Sequence, residues 1–172
     1  MSRIVFADVD APDIRPLAER IAADRGSVLD LYKILLHSPP VAAGWLHCLS
    51  AIRQECILSA QLRELVIMRV AILNGASYEA EQHAPLAVKA GLTVEQLQEL
   101  DRWQTSTKFN AEQRAVLAYT DSMTREIHVP RDVFASVRAR FNERSLVELT
   151  ATIAAYNMVS RFLEALEIRA ER

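Results

Sequence analysis

Glycine, proline, cysteine and aromatics are all scarce in this chain of 172 residues: 4 Gly, 6 Pro, 2 Cys and 6% Phe, Trp and Tyr. So few chain breakers argue against a fold of many short strands and tight turns. Charge of one sign is missing too. The 20 basic and 22 acidic residues are interspersed and give a net charge of −2, so the basic stripe of a nucleic-acid-binding protein is absent. No apolar run reaches the roughly 18 to 20 residues of a membrane span; Arg69 interrupts the best candidate. The opening "MSRIVFADVDAP" does not have the basic-then-apolar pattern of a signal peptide. A cytoplasmic protein with no membrane and no nucleic-acid partner is the expectation.

What is abundant is Ala, Leu, Arg and Glu, all strong helix formers. With 51% hydrophobic residues the chain is long enough to bury a core without staples. An all-α, compact multi-helix fold follows, as a single domain over 1–172 with an extended arm at 1–12 and a motif-bearing helical core at 59–100. Helices are expected from Asp13 to Asp24 (ended by Gly26), after a Ser27 cap up to the Pro39-Pro40 pair, and from Val41 to about Leu58. A further helix follows Ser59 and ends at Gly75. The next is capped by Ser77 and ended by Gly91. Capping boxes at Thr93–Gln96, Asn110–Gln113 and Ser145–Glu148 open later helices, Pro130 starts another, and the last runs to about Arg169. Cys48 and Cys56, eight apart on one helical pattern, would stand roughly 12 Å apart, too far for a disulfide. They read as buried or half-buried free thiols.

The chemistry-bearing stretch is "NGASYEAEQHAPLAVKAG", residues 74–91. Glu79 and His83 are four apart and share a helix face. They are either an acid–base couple, with an imidazole suited to proton transfer near neutral pH, or a solvated surface pair. Tyr78 either donates a hydrogen bond to a bound oxygen or anchors the helix by its ring. Pro85 should kink or break the helix and free the Glu81 carbonyl, opening space for a pocket beside His83. Glu64 begins the preceding helix, where an acid also suits the helix dipole. Arg69, inside the run "LVIMRVAIL", pairs with a buried acid, faces a partner subunit or meets an anionic ligand. Tyr156 and Asn157 either satisfy buried backbone or line a cavity. The four histidines form no His-x-x-x-His pair, and neither a metal nor a cofactor is expected.

The segment "RELVIMRVAILNGASYEAEQHAPLAVKAGLTVEQL" resembles the carboxymuconolactone decarboxylase family, which includes the alkylhydroperoxidase-D-like proteins. The shared features are the Arg-Glu-Leu helix start, the apolar run, the small-residue turn, the histidine and the closing Ala-Gly-Leu-Thr. "LVELTATIAAYNMVSRFLEAL" is similar to the family's last helix. The resemblance implies an all-helical fold that assembles as dimers, trimers or hexamers. In the peroxidase branch the chemistry lies in a Cys-x-x-Cys pair, a histidine after it, and a glutamate twelve residues before the first cysteine. Those positions fall here on Ala76 and Glu79, on His83, and on Glu64. The chain is similar to a thiol-free "YExxxH" variety, and it lacks the tyrosine- and glycine-containing pattern of the decarboxylase proper around Leu97 to Trp103. The implied function is acid–base chemistry, a decarboxylation or lactone rearrangement of a small carboxylated or lactone substrate. His83 would move the proton, supported by Glu79, Glu64 and Tyr78. An alkylhydroperoxidase-like antioxidant activity, carried by Cys48 or Cys56, and a non-catalytic binding or scaffold role are the alternatives.

Overall fold

The computed structural model describes residues 2–169; Met1, at the tip of the expected arm, lies outside them. Among the described residues there are nine α-helices and no strand, so the all-α expectation holds. The chain divides into two compact units, 1–55 with 165–172, and 56–164.

In the first unit the arm is tied down by main-chain bonds, Arg3 N–H to Leu166 O at 2.9 Å and Ala7 N–H to Lys33 O at 3.0 Å. Helix α1 (Arg15–Arg25) ends as expected at Gly26, whose φ of 85° places it in the left-handed region that glycine enters without a Cβ clash. Helix α2 (Asp30–Leu35) starts after Leu29 with no side-chain cap, so Ser27 does not cap it. The Pro39-Pro40 pair does more than stop α2: it forms the first turn of α3 (Pro39–Ser50). There the missing N–H groups would have been unpaired in any case, and proline's fixed φ suits the helix. The helix expected to reach Leu58 ends instead in a π-turn over Ala51–Glu55. Cys48 is exposed and Cys56 half-buried, which corrects the expectation of a sheltered thiol for Cys48.

The second unit is built around α4 (Ala60–Asn74), capped by Ser59, whose Oγ accepts from Leu62 N–H. Leu65, Val66, Ile67 and Val70 are all fully buried, so this helix is covered on every side. It packs against α5 (Ser77–Lys89) and α7 (Ala111–Arg125). Gly75, at φ 67°, closes α4, and Ala76 is the N-cap of α5 with no side-chain bond; the expected Ser77 cap lies inside the helix. Capping boxes open α6 (Val94–Glu99) and α7 as read from sequence. Pro130 is the N-cap of α8 (Arg131–Arg138). The last helix, α9 (Glu143–Ala165), begins earlier than Ser145 and stops short of Arg169. Its cap is Asn142, whose Oδ1 accepts from Ser145 N–H at 2.9 Å.

Burial of α4 forces its polar residues to find partners. Arg69 is 1% exposed and takes the first of its three expected roles, a structural pair. Its Nε and Nη2 donate to the two carboxylate oxygens of Asp121 at 2.6 and 2.7 Å. Nη1 donates to Leu100 O at 2.9 Å. This two-pronged pair ties α4 to α7 and to the 3₁₀ turn after α6. Asn157 is a second polar tie, donating to Thr124 Oγ1 at 3.0 Å and accepting from Asn74 Nδ2 at 3.1 Å; it also donates to the buried Ile153 carbonyl at 3.0 Å, the backbone role that one sequence reading had.

Asp121→Ala leaves the Arg69 guanidinium buried without its carboxylate. It should lower unfolding free energy by about 3–5 kcal/mol, against less than about 1 kcal/mol for Arg3→Ala in the exposed Arg3–Glu167 pair. Urea unfolding of the two variants measures the contrast, and equal losses would remove Arg69–Asp121 as the anchor of this unit.

Candidate functional site

Glu64 lies in the first turns of α4 and His83 in the middle of α5, and the reversal at Gly75–Ala76 lays the two helices side by side. Counting residues from the turn leaves the two at unequal distances from it, yet the chains meet. His83 Nδ1 stands 2.7 Å from Glu64 Oε2, with Glu64 2% and His83 8% exposed. A carboxylate can only accept, so with Glu64 as the acceptor Nδ1–H is the donor of this bond and Nε2 is the ring's other nitrogen. Nε of Arg63 lies 3.5 Å from Glu64 Oε1.

Glu79 and Tyr78 are both buried at the start of α5. Glu79 neither bonds His83 as an acid–base couple nor forms a solvated surface pair with it: its Oε2 accepts from Ser160 Oγ on α9, while its Oε1 is buried with no hydrogen-bond partner. Burial, reinforced by the negative Glu164 and only partly offset by the Ser160 bond, pushes the carboxyl up to about 8. Burial thus favours the protonated form of Glu79 near neutral pH, and it is Glu64 that stands beside the imidazole. Tyr156 of α9 packs edge-on against the His83 ring, centroids 5.3 Å apart.

Ser160 is the member that sequence reading missed. The available signal was a serine four residues after Tyr156 in an apolar helix, on the face that Tyr156 marks. Pro85 behaves differently from expectation. Helix α5 runs through it unbroken, and Pro85 and Glu81 are both exposed. Proline on an exposed stretch of a helix leaves the carbonyl four residues before it where solvent can satisfy it. Among the described residues no three His, Cys, Asp or Glu side chains converge as a metal would need, and no helix is long and apolar enough to cross a membrane. Separately, an open cleft of about 390 Å³ in the first unit runs along Arg20, Asp24, His47 and Ser50. Its acid, Asp24, is held below the usual carboxylate range by bonds from Ser50 and Gln54.

The model of the carboxymuconolactone decarboxylase family matches residues 39–122, a span that contains Glu64, Tyr78, Glu79 and His83. The uncharacterized protein YdfG of Bacillus subtilis (strain 168) is 28% identical over 119 residues, covering 68% of this chain and 81% of that protein. Among solved structures, a peroxidase-related protein from Silicibacter sp. TM1040 superposes with a TM-score of 0.84 at 18% identity, over 99% of this chain and 92% of that one. The debrominase Bmp8, in complex with 2,3,4-tribromopyrrole, gives 0.82 at 19% identity, over 98% and 91%. At such identities these two structures share the fold.

The raised Glu79 carboxyl sets a stability profile. Its proton is held to about pH 8 in the folded chain, against an ordinary value of 4.5. Between those values the folded state binds more proton, so unfolding free energy falls as pH rises. Glu79→Gln should flatten that fall and stabilise the protein near pH 8 by roughly 1–3 kcal/mol. Denaturant midpoints across the range measure it; a variant with the same slope as the parent would mean that Glu79 is ionised when folded.

Proposed function

Since the chain belongs to the carboxymuconolactone decarboxylase family, we propose that it is an acid–base enzyme acting on a small carboxylated or lactone substrate, by decarboxylation or lactone rearrangement. The supporting observation is the buried 2.7 Å bond between Glu64 and His83. It fixes the ring's tautomer and orientation, stabilises the imidazolium that forms when Nε2 takes a proton, and needs neither metal nor cofactor. Tyr78 and Glu79, buried in the first turn of α5, complete the set. In this reading Glu64 does the orienting that the spacing alone suggested for Glu79.

The peroxidase-related name of the Silicibacter neighbour favours the antioxidant alternative. Against it, the two positions where the peroxidase branch carries thiols are Ala76 and Glu79, so no thiolate is available there. The reading includes a cytoplasmic homo-oligomer, since Val41, Val88, Val94, Phe134, Val147 and Met158 expose apolar surface that a second copy can cover.

The test is a panel of carboxylated and unsaturated lactones followed by proton NMR in D₂O, reading carbon-bound deuterium and lost carboxyl. His83→Gln should lower turnover at least about 100-fold and Glu64→Gln at least about 10-fold, with the helical circular dichroism unchanged. Cys48→Ser and Cys56→Ser should leave it intact. Full turnover in His83→Gln, or peroxide consumption abolished by either serine substitution, would overturn the reading.

A further inference from the structure

Two helices meet at this site in matched steps. Glu79 and His83 stand one turn apart on α5, Ser160 and Tyr156 one turn apart on α9. Ser160 bonds Glu79 Oε2 and Tyr156 packs on His83. Both imidazole and carboxyl are thereby held by their flanks. Ser160, donating to Oε2, leaves Oε1 as the oxygen to carry the acid's proton, and Oε1 is the buried atom without a partner. Native proteins rarely leave such a group unpaired; strain, a water, an ion or a catalytic role is the usual reason. The groups bearing on it are Ser160 and Glu164 from α9, with His83, one turn along α5, held by Glu64 of α4. Glu164 and burial both act against ionisation of Glu79, so the atom offered is an O–H donor rather than a base. One carboxyl of the site is a hydrogen-bond donor and the other orients the base, the divergence expected of an acid and a base working on one substrate.

We propose that Oε1 of Glu79 donates its hydrogen bond to the carbonyl oxygen of an enolisable substrate, an unsaturated lactone or keto acid, while His83 moves the proton on carbon. The proposal rests on the acid–base reading of His83. In the step, the C–H bond beside the carbonyl breaks and its proton goes to His83 Nε2. The electron pair forms a carbon–carbon double bond, and the carbonyl π pair moves to oxygen, where the Glu79 O–H meets the growing charge. Return of the proton from His83 to the far carbon of the conjugated system restores the carbonyl. The net change is an isomerisation, with no oxidant or reductant. Glu79 acts as an oxyanion donor, a role a protonated carboxylic acid fills well in a dry site.

The probe is 4-nitrophenol, an enolate mimic whose colour reports its ionisation, titrated into the full chain just below neutral pH. The parent protein should take it up as the phenolate. Glu79→Ala should weaken uptake at least about tenfold, the loss expected for a donor to an anionic oxygen. Glu79→Gln, whose amide still donates, should stay within about threefold of the parent and keep binding above about pH 9, where the parent loses it as its own acid ionises. His83→Gln should retain uptake, which separates this proposal from the proton-transfer reading. If His83→Gln turns out catalytically normal while uptake still depends on Glu79, the His83 reading fails and the Glu79 donor stands. No uptake by the parent, uptake as the neutral phenol, equal affinity in a folded Glu79→Ala, or a Gln variant with the parent's pH profile would each overturn it.

Discussion

A buried helix face cannot leave a charge unmatched, and α4 buries two residues of opposite charge type, Glu64 and Arg69, at 2% and 1% exposure. Desolvating either without a partner would cost several kcal/mol, so the surroundings of α4 are arranged to supply one. Asp121 comes from α7, the Leu100 carbonyl from the turn after α6 and His83 from α5. The charges sit on the helix that α5, α7 and the 3₁₀ turn pack against, so matching them also places those neighbours. The candidate site is one consequence of that arrangement.

The second consequence is a pair of carboxyls with different surroundings in one layer of helices. Glu64 meets an imidazole N–H and has Nε of Arg63 3.5 Å away. Glu79 meets one hydroxyl, with the negative Glu164 nearby, an environment made for a neutral acid. Neither environment depends on pairwise spacing along α5. Both depend on which neighbouring helix supplies the donors: the imidazole meets Glu64 of α4, and Glu79, four residues away on its own helix, meets Ser160 of α9.

That difference marks how far the sequence could be read. Helix type and most boundaries follow from local chemistry: Gly26 and Gly75 at φ 85° and 67°, the capping boxes at Thr93 and Asn110, and the apolar run of α4 were all visible. Three caps were not: α2 and α5 start after Leu29 and Ala76 with no side-chain cap at all, in place of Ser27 and Ser77, and Asn142 caps α9 in place of Ser145. Partners far apart in sequence were out of reach of spacing. Asp121 lies 52 residues from Arg69 and Ser160 lies 81 from Glu79. Glu64 entered the candidate set through resemblance, because helix geometry alone placed it too far along its axis from His83. The exposure of Pro85 shows the same limit in reverse: a breaker is readable, but the face on which it falls is set by packing.

The central claim is that Glu64 holds His83 in one tautomer so that Nε2 can move a proton. Long-range ¹H–¹⁵N correlation spectra of histidine-labelled protein report that tautomer directly, with the His83 signal identified by its loss in His83→Gln. The account predicts a neutral His83 ring with the proton on Nδ1, carrying a strongly downfield proton resonance that disappears in Glu64→Gln. A ring protonated on Nε2, or one that titrates like an exposed histidine and is indifferent to Glu64→Gln, would contradict it.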